Sequence, residues 1–428
     1  MERYSEYKDS GVKWLGEIPS HWEVKRLGSF FFERKEKVSD KDYAPLSVTK
    51  QGIFPQLENV AKTNDGDNRK LVKEGDFVIN SRSDRKGSSG VSGLDGSVSL
   101  INIVLQPRKV LFGPFCNYLL KSYGFIEENY RNGRGIVADL WTTRYDEMKM
   151  IKVAMPSFEE QKNISSYLDA ATSKIDKAIA MQQKMINLLN ERKQIIIQNA
   201  VTKGLDENVE MKDSGDRWIG LFPSSWTTRR LNFSSWIRAR LGWKGLKASE
   251  YVDNGYPFLS AFNIVNDKIK WENLNFINKY RYDESPEIKL SVGDILLVKD
   301  GAGIGKCARI DELPCGESTA NGSLAVITAN YFVDYRYLYY FMISKSFKDH
   351  TELLINGMGV PHFTQGEMKK IVIPIPPKSE QQAIVAYLDK QMLRFDSAIS
   401  NCQRQITLLQ ERKQIIINEV VTGKVKVS

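Results

Sequence analysis

The chain has 428 residues, of which 42% are hydrophobic and 26% are charged, a composition typical of folded globular proteins and unlike that of disordered chains. This length exceeds what one ordinary hydrophobic core supports, so two or more domains are expected. The formal net charge of +9 favours a polyanionic partner, nucleic acid first and an acidic membrane face second.

The first residues, MERYSEYKDSG, mix acids and bases with no apolar stretch after them, which is unlike a secretory signal or a transit peptide. No window approaches the roughly 18–20 apolar residues of a membrane span. We therefore expect a cytoplasmic protein with no membrane partner. The four cysteines show no CxxC spacing and only three histidines are present, so neither a disulfide framework nor a metal site is predicted.

Two blocks of sequence occur twice in the chain. Residues 8–27, KDSGVKWLGEIPSHWEVKRL, return at 212–231 as KDSGDRWIGLFPSSWTTRRL, and LLNERKQIIIQNAV at 188–201 returns at 408–421 as LLQERKQIIINEVV. The offsets are 204 (212 − 8) and 220 (408 − 188), so the intervening region is 16 residues (220 − 204) longer in the second half. The repeat indicates two homologous halves whose ends stay similar while their middles diverge.

The middle of each half, residues 40–152 and 249–373, carries short apolar runs separated by Gly, Asn, Asp and Ser. Runs such as DFVIN, SLINIVL, DILLVKD and SLAVITA predict β-strands in mixed α/β domains. The segments FCNYLLKSY and YLYYFMIS, at equivalent positions, predict core helices. A fainter correspondence places Gly75-Asp76 opposite Gly293-Asp294 in the repeat.

A long helix is predicted after each middle, because residues 161–200 and 381–421 contain neither Gly nor Pro. Capping boxes are predicted at both starts, from Ser157 to Glu160 and from Ser379 to Gln382. Apolar residues then recur in steps of four and three, which predicts a coiled-coil seam. The seam residues are Leu168, Ile175, Leu189 and Ile196 in the first copy and Leu388, Phe395, Leu409 and Ile416 in the second.

Two packing arrangements are open for these helices. An isolated amphipathic helix of this length would expose its apolar stripe, so we expect the two copies to pack against each other, antiparallel, as a spacer between two similar globular units. In the alternative, each helix packs only on its own domain.

Residues 300–310, DGAGIGKCARI, are the stretch that comes nearest to a nucleotide-binding motif. A phosphate loop needs Gly at its first position and Ser or Thr after Gly-Lys, where this chain has Asp300 and Cys307. A dinucleotide fingerprint fails because its third glycine falls on Lys306. A tight turn between strands is expected instead. The chain also has no Asn-Pro-Pro-aromatic methyltransferase motif and no His-rich cluster, so no catalytic residue is predicted.

Binding chemistry is more prominent. The loop NSRSDRKGSSG offers cations and free amides to phosphates, and its counterpart in the second half carries further basic residues. Polar side chains follow matching strands in both halves, and asparagine can pair with adenine in the major groove. A basic, aromatic run also spans residues 229–247. The predicted DNA-facing residues are Ser47, Thr49, Lys50, Arg82, Arg85, Lys86, Ser260, Asn263, Lys299, Lys306 and Arg309.

The repeated pattern KDSG-x-x-W-x-G-x-x-P-x-x-W, a variable domain, P-x-x-x-EQ-x-x-I-x-x-YLD and a helix ending LL-x-ERKQ-I-I resembles the DNA specificity subunit of type I restriction-modification systems. The resemblance covers essentially the whole chain. It implies an α/β (α+β) protein with an internal pseudo-twofold repeat. Its implied parts are target recognition domain 1 (1–155), spacer helix 1 (156–205), target recognition domain 2 (206–375) and spacer helix 2 (376–428).

The resemblance further implies a non-catalytic subunit that binds double-stranded DNA at a bipartite, asymmetric site. In the family, two modification subunits bring S-adenosylmethionine and methylate adenine, and two restriction subunits supply ATP-driven translocation and cleavage. S-adenosylmethionine, ATP and magnesium are therefore expected on partner subunits, and this chain is expected to hold no cofactor and no metal.

Other classes of protein remain open from the residues alone. A non-catalytic coiled-coil scaffold with an incidental basic surface predicts no sequence preference on DNA and a shallow salt dependence. A complete enzyme with an unrecognised active site predicts methylation or cleavage by the purified chain alone.

Overall fold

The structure is a computed structural model that describes residues 2–57, 66–108, 111–135, 141–241, 246–301, 303–354 and 362–427. The chain forms two compact units. Unit 1 comprises residues 1–183 and 403–428, and unit 2 comprises residues 184–402. The predicted target recognition domains and the division between domain and helix stay predictions.

The first half of the chain is rich in short strands and ends in one long helix. Its strands are β1 (Tyr7–Asp9), β2 (Glu17–Pro19), β3 (Glu23–Arg26), β4 (Phe31–Glu33), β5 (Lys37–Val38), β6 (Leu46–Val48), β7 (Ile53–Pro55), β8 (Arg69–Val72), β9 (Phe77–Asn80), β10 (Ser89–Val91), β11 (Gly96–Val98), β12 (Asn102–Pro107) and β13 (Lys152–Met155). Its helices are α1 (Gly113–Leu120), α2 (Tyr123–Arg131), α3 (Tyr145–Met148) and α4 (Phe158–Lys203), with 3-10 turns at Leu27–Ser29 and Ser83–Arg85.

The second half repeats this order with additions. Its strands are β14 (Met211–Asp213), β15 (Leu221–Pro223), β16 (Thr227–Arg230), β17 (Ser235–Arg238), β18 (Tyr256–Leu259), β19 (Ile264–Val265), β20 (Lys268–Ile269), β21 (Asn275–Ile277), β22 (Asp294–Val298), β23 (Cys307–Arg309), β24 (Thr319–Ala320), β25 (Leu324–Ala329) and β26 (Val372–Ile375). Its helices are α5 (Leu231–Ser234), α6 (Lys279–Asp283), α7 (Tyr335–Met342), α8 (Lys345–Leu354), α9 (Gln365–Met368) and α10 (Lys378–Val421), with 3-10 turns at Ala248–Glu250, Ala261–Asn263 and Pro286–Ile288.

Each unit is built around one four-stranded antiparallel sheet. The order is β10-β9-β12-β4 in unit 1 and β23-β22-β25-β17 in unit 2, which is the same order of equivalent strands. The two central strands of each sheet, β9 and β12 or β22 and β25, come from the predicted apolar runs, and α1 and α7 come from the predicted core helices, which confirms the mixed α/β class. Both helices pack beside these sheets, and the side chains between them form the main core of each unit.

The smaller sheets differ more between the units. Unit 1 has the antiparallel order β11-β8-β5, whereas unit 2 has β21-β18-β24 with β18 and β24 parallel. The second half also contains the helix α6, and the turn residues Asn266 and Asp267 of its hairpin β19–β20 have φ of 52° and 60°. Asn and Asp tolerate this left-handed conformation better than other side chains do.

The repeated Gly-Asp pairs form the same buried ion pair in both units. Asp76 is 2% exposed and accepts from Arg34 Nε at 2.7 Å, and the fully buried Asp294 accepts from Arg238 Nη2 at 2.8 Å. The glycine before each aspartate has a positive φ, +87° at Gly75 and +94° in the second copy. The carboxylate also accepts the amide of the residue three positions earlier, which closes the turn before β9 and β22.

The starts of the two long helices are capped differently. At the start of α4, Ser157 Oγ accepts the Glu160 amide at 3.3 Å, which is the serine half of the predicted capping box, whereas the Glu160 carboxylate accepts from Tyr4 and Trp22. The predicted cap at Ser379 is wrong, because α10 begins at Lys378 and the serine lies inside the first turn. The position equivalent to Ser157 holds Pro377, whose carbonyl accepts two helix amides but whose side chain has no acceptor.

The two long helices meet within each unit, running antiparallel. In unit 1, Asp176 of α4 pairs with Lys413 of α10 at 2.7 Å. In unit 2 the same pair is formed with the roles of the helices exchanged, by Asp396 of α10 and Lys193 of α4 at 2.9 Å. Leu168, Ile175, Leu388, Phe395 and Ile416 are buried, and Leu189, Ile196 and Leu409 are partly buried against the same cores.

The start of each helix is fixed to the domain that precedes it. Gln161 bonds the Phe112 amide and the Pro156 carbonyl, and Gln381 bonds the Asp334 amide and the Pro376 carbonyl. In the YLD motifs that follow, each aspartate accepts a core tyrosine hydroxyl at 2.6 Å, in the pairs Tyr118–Asp169 and Tyr340–Asp389. Burial and this bond raise the pKa of Tyr118 to about 12.

The end of each helix is fixed to the domain of the other half. In unit 1, Asn418 Oδ1 accepts the Gly124 amide at 3.0 Å, and in unit 2 Gln198 Oε1 accepts the Ser346 amide at 2.8 Å. The tryptophans of the entry motif lie at the same junctions. Trp22 donates to Glu160 at 3.0 Å, and its equivalent Trp226 donates to Glu380 at 2.9 Å.

Each unit therefore combines one domain, the start of the helix that follows it and the end of the other long helix. The repeated residues of the sequence are the ones that make these joints.

Candidate nucleic-acid interface

The loop after β9 carries three of the predicted DNA-facing cations, and they differ in availability. Arg82 and Arg85 are exposed, with Arg85 Nε 3.7 Å from Asp84. Lys86 instead pairs with Glu127 at 2.7 Å and lies 4.3 Å from the centre of the Tyr130 ring. The Lys86 charge is therefore largely neutralised by contacts within unit 1. The two arginines are the better placed for a phosphate.

An open groove of about 620 Å³ lies beside this loop in unit 1. It is lined by residues in or next to β4, β5, β8 and β12, by the residues that follow β9, and by α3 with the segment before it. Five of its lining side chains are basic and two are acidic, namely Lys35, Lys37, Lys70, Arg82 and Arg144 against Glu33 and Asp146. Lys70 is held by Glu33 at 3.3 Å and by the Asn102 carbonyl at 2.8 Å.

The outer cations of this groove are exposed. Lys35 is 76% exposed although it lies 3.4 Å from Glu33, and Lys37 and Arg144 are also exposed. The sequence prediction included Arg82 but missed these three residues. Lys35 and Lys37 had a signal in the charge run ERKEK at residues 33–37, in which alternate residues share one face of an extended strand, whereas Arg144 lies outside that run.

The hairpin β6–β7 holds Ser47, Thr49 and Lys50. Ser47 is 9% exposed and its hydroxyl accepts the Leu57 amide at 3.1 Å, so it supports the hairpin. Thr49 Oγ1 donates to the Gly52 carbonyl at 3.0 Å and closes the turn. Lys50 alone points its charge to solvent from the turn.

In unit 2, the loop between β22 and β23 places its cations differently. Lys306 is exposed and makes no ion pair with the described residues. Lys299 pairs with Asp300. Arg309 lies over the Tyr339 ring at 5.1 Å and pairs with Asp311 at 2.8 Å, and its Nη1 is 3.6 Å from Asp389. Burial opposes the charge of Arg309, but the acids outweigh it and raise its pKa.

Ser260 and Asn263 of unit 2 hydrogen-bond to each other. The Asn263 side chain accepts the Ser260 amide at 2.9 Å and its hydroxyl at 3.1 Å, and Asn263 is 8% exposed. Their bonds close the 3-10 turn after β18. Asn266, further along, lies in the β19–β20 turn.

The basic run at 229–247 is also largely engaged inside unit 2. Arg229 stacks 3.8 Å from the Phe332 ring centre, and Arg238 belongs to the buried pair with Asp294. Arg240 is 3.3 Å from Glu284. Residues 242–245 of the run lie outside the described residues.

Among the described residues, no group of three or more His, Cys, Asp or Glu side chains is arranged to hold a metal ion. None of the described helices is long and apolar enough to cross a membrane. The residues 300–310 form a turn between β22 and β23, as predicted, in the part of that segment that is described.

Comparison with known proteins finds similarity to one family. The model of the type I restriction modification DNA specificity domain matches residues 242–409. The type I restriction enzyme MjaVIII specificity subunit of Methanocaldococcus jannaschii is 27% identical over 98% of this chain and 97% of its own length. The EcoKI specificity subunit of Escherichia coli is 24% identical over 48% of this chain and 44% of its own length.

Solved structures share the fold. A chain from a study of complex assembly and conformational transition in a type I R-M system has a TM-score of 0.69 at 16% identity, covering 95% of this chain and 99% of that one. The HsdS subunit from Thermoanaerobacter tengcongensis has a TM-score of 0.50 at 17% identity, covering 97% and 100%. The matched domain and the full-length relatives make this chain similar to the specificity subunits of type I restriction-modification systems, and the solved structures share its fold.

Proposed function

We propose that this chain reads a bipartite, asymmetric DNA sequence, one half-site with each unit, and directs partner subunits to methylate adenine or cleave there. The chain itself is non-catalytic in this proposal. The observation that carries it, beyond the family, is the cationic groove of unit 1, whose exposed Lys35, Lys37, Arg82 and Arg144 surround an open channel.

The groove suits a phosphate backbone on physical grounds. Each phosphate that a lysine or arginine neutralises releases condensed counterions from DNA, and this release favours binding. The exposed cations keep their charge available because few carboxylates oppose them, whereas buried pairs such as Arg34–Asp76 are already neutralised. Phosphate contacts of this kind position a protein on the duplex, and base contacts then specify the sequence.

The two half-sites are expected to differ. The edge of unit 2 that is equivalent to the groove carries Asp300 and His362 where unit 1 has Arg82 and Thr142, as the bridges between those pairs show. The small three-stranded sheets also differ, with the order β11-β8-β5 in unit 1 and β21-β18-β24 in unit 2. Because the two units share a scaffold but differ in these surface residues, we expect them to recognise different DNA sequences.

Partner docking is proposed on the long helices. Leu188 and Ile195 of α4 are 49% and 52% exposed, and their equivalents Leu408 and Ile415 of α10 are 48% and 55% exposed. An apolar pair repeated with the same exposure, once in each unit, suits two copies of one partner. In this proposal two modification subunits bind there and two restriction subunits join them. S-adenosylmethionine, ATP and magnesium belong to those partners.

The test is co-expression with the cognate modification subunit in a methylation-free host, followed by base-resolved mapping of N6-methyladenine. We expect a split motif that disappears when this chain is omitted. The variant Lys35→Ala/Lys37→Ala/Arg144→Ala should weaken DNA binding by the complex and lower the slope of log affinity against log salt by up to about 2.7, roughly 0.9 per lost phosphate contact.

The matched control is Lys8→Ala/Lys13→Ala, which removes exposed lysines of unit 1 that do not line the groove. It should leave the slope unchanged. Methylation that is independent of this chain, or that shows no split motif, contradicts the proposal and favours the coiled-coil scaffold. Methylation or cleavage by the purified chain alone contradicts the non-catalytic role.

A further inference from the structure

An exposed histidine is held in a fixed orientation at one edge of unit 2. His362 Nδ1 lies 2.7 Å from Asp300 Oδ1, at the start of the loop that joins β22 to β23. The His362 side chain is 58% exposed, whereas Asp300 is 28% exposed. The two residues form a backbone bridge, and the next amide, of Phe363, donates to the Lys299 carbonyl at 2.8 Å. The ring is therefore both accessible and positioned.

The chemistry of the ring follows from this contact. The Asp300 carboxylate accepts the proton of Nδ1, so the neutral ring presents Nε2 as a hydrogen-bond acceptor. Within the described part of the chain, Nε2 makes no hydrogen bond. The Asp300 carboxylate also forms an ion pair with the Lys299 ammonium, so both of its partners are fixed beside the imidazole.

The position of this pair in the fold connects it with the groove of unit 1. The bridge between Asp300 and His362 is equivalent to the bridge between Arg82 and Thr142, which lies at the wall of the cationic groove. Lys306, exposed and without an ion pair among the described residues, belongs to the same loop as Asp300. The acceptor Nε2 of His362 can meet a donor on a base edge, and the nearby Lys306 can meet a backbone phosphate beside that base.

We propose that His362 is a base-reading residue of unit 2 and that Asp300 is its positioning residue. Nε2 accepts a hydrogen bond from the exocyclic amino group of an adenine or a cytosine in the major groove, because these are the amino donors that the major groove presents. The inference rests on the proposed function and assigns one base contact within it.

The experiment compares N6-methyladenine maps of the intact complex carrying His362→Ala, His362→Gln, Asp300→Ala or Asp300→Asn. We expect His362→Ala to reduce discrimination at one base position of one half-site by about 10- to 100-fold, with the other half-site unchanged. Asp300→Ala should relax the same position. Asp300→Asn keeps an acceptor for Nδ1–H and should restore the wild-type motif. Relaxation confined to one base position in both alanine variants is what a merely structural role of the pair does not predict.

The matched control is His21→Ala, which removes another exposed histidine paired with a carboxylate, Glu160 at 3.0 Å, in unit 1. It should leave the motif unchanged. An unaltered motif in His362→Ala, or relaxation of both half-sites together, overturns the inference. Where His362→Ala fails to fold, Asp300→Ala decides by the same two outcomes, whereas His362→Gln keeps a side-chain acceptor and should retain part of the discrimination. Failure of the proposed function is distinguishable, because then the wild-type chain itself has no effect on methylation.

Discussion

The most consequential single residues in the cores are the aspartates that pair with a buried arginine. Asp294 receives bonds from Arg238 Nη2 at 2.8 Å and from the Ser291 amide at 2.8 Å, and its side chain is fully buried. Arg238 also donates to the carbonyls of Glu287 and Lys289. The group thus links β17, β22 and the segment between β21 and β22. The equivalent pair in unit 1 joins β4 to the turn before β9.

Replacing Asp294 with Ala should lower the free energy of unfolding of unit 2 by about 3–5 kcal/mol, because a buried guanidinium then has no counter-charge. Urea unfolding followed by intrinsic tryptophan fluorescence measures the change. The control Asp311→Ala removes a carboxylate that is 54% exposed and should cost about 1 kcal/mol or less.

The double variant Arg238→Met/Asp294→Leu separates charge from packing. Removing both partners should recover most of the lost stability, since an apolar pair can replace a buried ion pair at little cost. A single variant Asp294→Ala that loses less than about 1 kcal/mol contradicts the importance given to this pair.

Residue chemistry alone predicted part of the candidate interface. Ser47 and Asn263 were selected because polar side chains after strands can read bases, yet their atoms are used to close a hairpin and a 3-10 turn. Lys35, Lys37 and Arg144 were missed because the groove joins segments far apart in sequence. No single stretch of sequence encodes such a surface, so it becomes visible only once the sheet is formed.

At the scale of elements, the end of each long helix depends on a glycine. Gly423 ends α10 with φ +76°, and a Cβ there would lie 2.3 Å from Pro19 Cδ and 3.2 Å from the Trp22 ring. Gly204 follows α4 with φ +78°, and its Cβ would lie 3.3 Å from the Trp226 ring. The proline and tryptophan of the entry motif thus pack on the glycine that ends the other half's helix.

Gly423→Ala should destabilise unit 1 by more than the strain of a left-handed alanine, which is about 1–2 kcal/mol. The close approach to Pro19 should add about 1–3 kcal/mol. Gly11→Ala is the control, because Gly11 also has a positive φ, +63°, but nothing lies within 4 Å of its Cβ position. Thermal unfolding of the two variants gives the difference, and equal losses would show that the joint tolerates a methyl group.

Elements with a strong local pattern were predicted, and those fixed by distant contacts were not. The helices α4 and α10 show a long apolar repeat without Gly or Pro, and both were expected. The hairpin β19–β20 has strands of only two residues, too short for a pattern. The start of α10 was misplaced because Ser379 suits a cap chemically, whereas the chain turns into the helix at Pro377.

At the scale of the whole molecule, the repeat makes each unit from parts of both halves. Equivalent residues form the ion pair between the long helices in both units. In unit 1 the aspartate, Asp176, is on α4 and Lys413 is on α10, and in unit 2 the aspartate, Asp396, is on α10 and Lys193 is on α4. Such an exchange requires both halves to keep the same joint residues, while loops away from the joints are free to change. This constraint accounts for similar ends and divergent middles.

The same symmetry predicts the number of docked partners. Ile195→Lys alters the exposed apolar pair of unit 2 and Ile415→Lys that of unit 1, and lysine is a good helix former. Each single variant should weaken one modification-subunit site by about 2 kcal/mol or more, roughly 30-fold, and leave complexes with one bound copy. The double variant should bind no modification subunit. Native mass spectrometry of co-expressed complexes counts the copies.

Met181→Lys is the control for this prediction. Met181 is 70% exposed on α4, but its equivalent in α10 is Asn401, so it has no repeated apolar partner. The control should retain two copies, and all of these exposed substitutions should change unfolding free energy by about 0.5 kcal/mol or less. Two bound copies in the double variant would show that the repeated pair is not a docking surface. If Met181→Lys reduced the number of bound copies as much as Ile195→Lys does, the loss would come from general disturbance of the helix. Only substitutions at the repeated positions are expected to remove a partner, one from each unit.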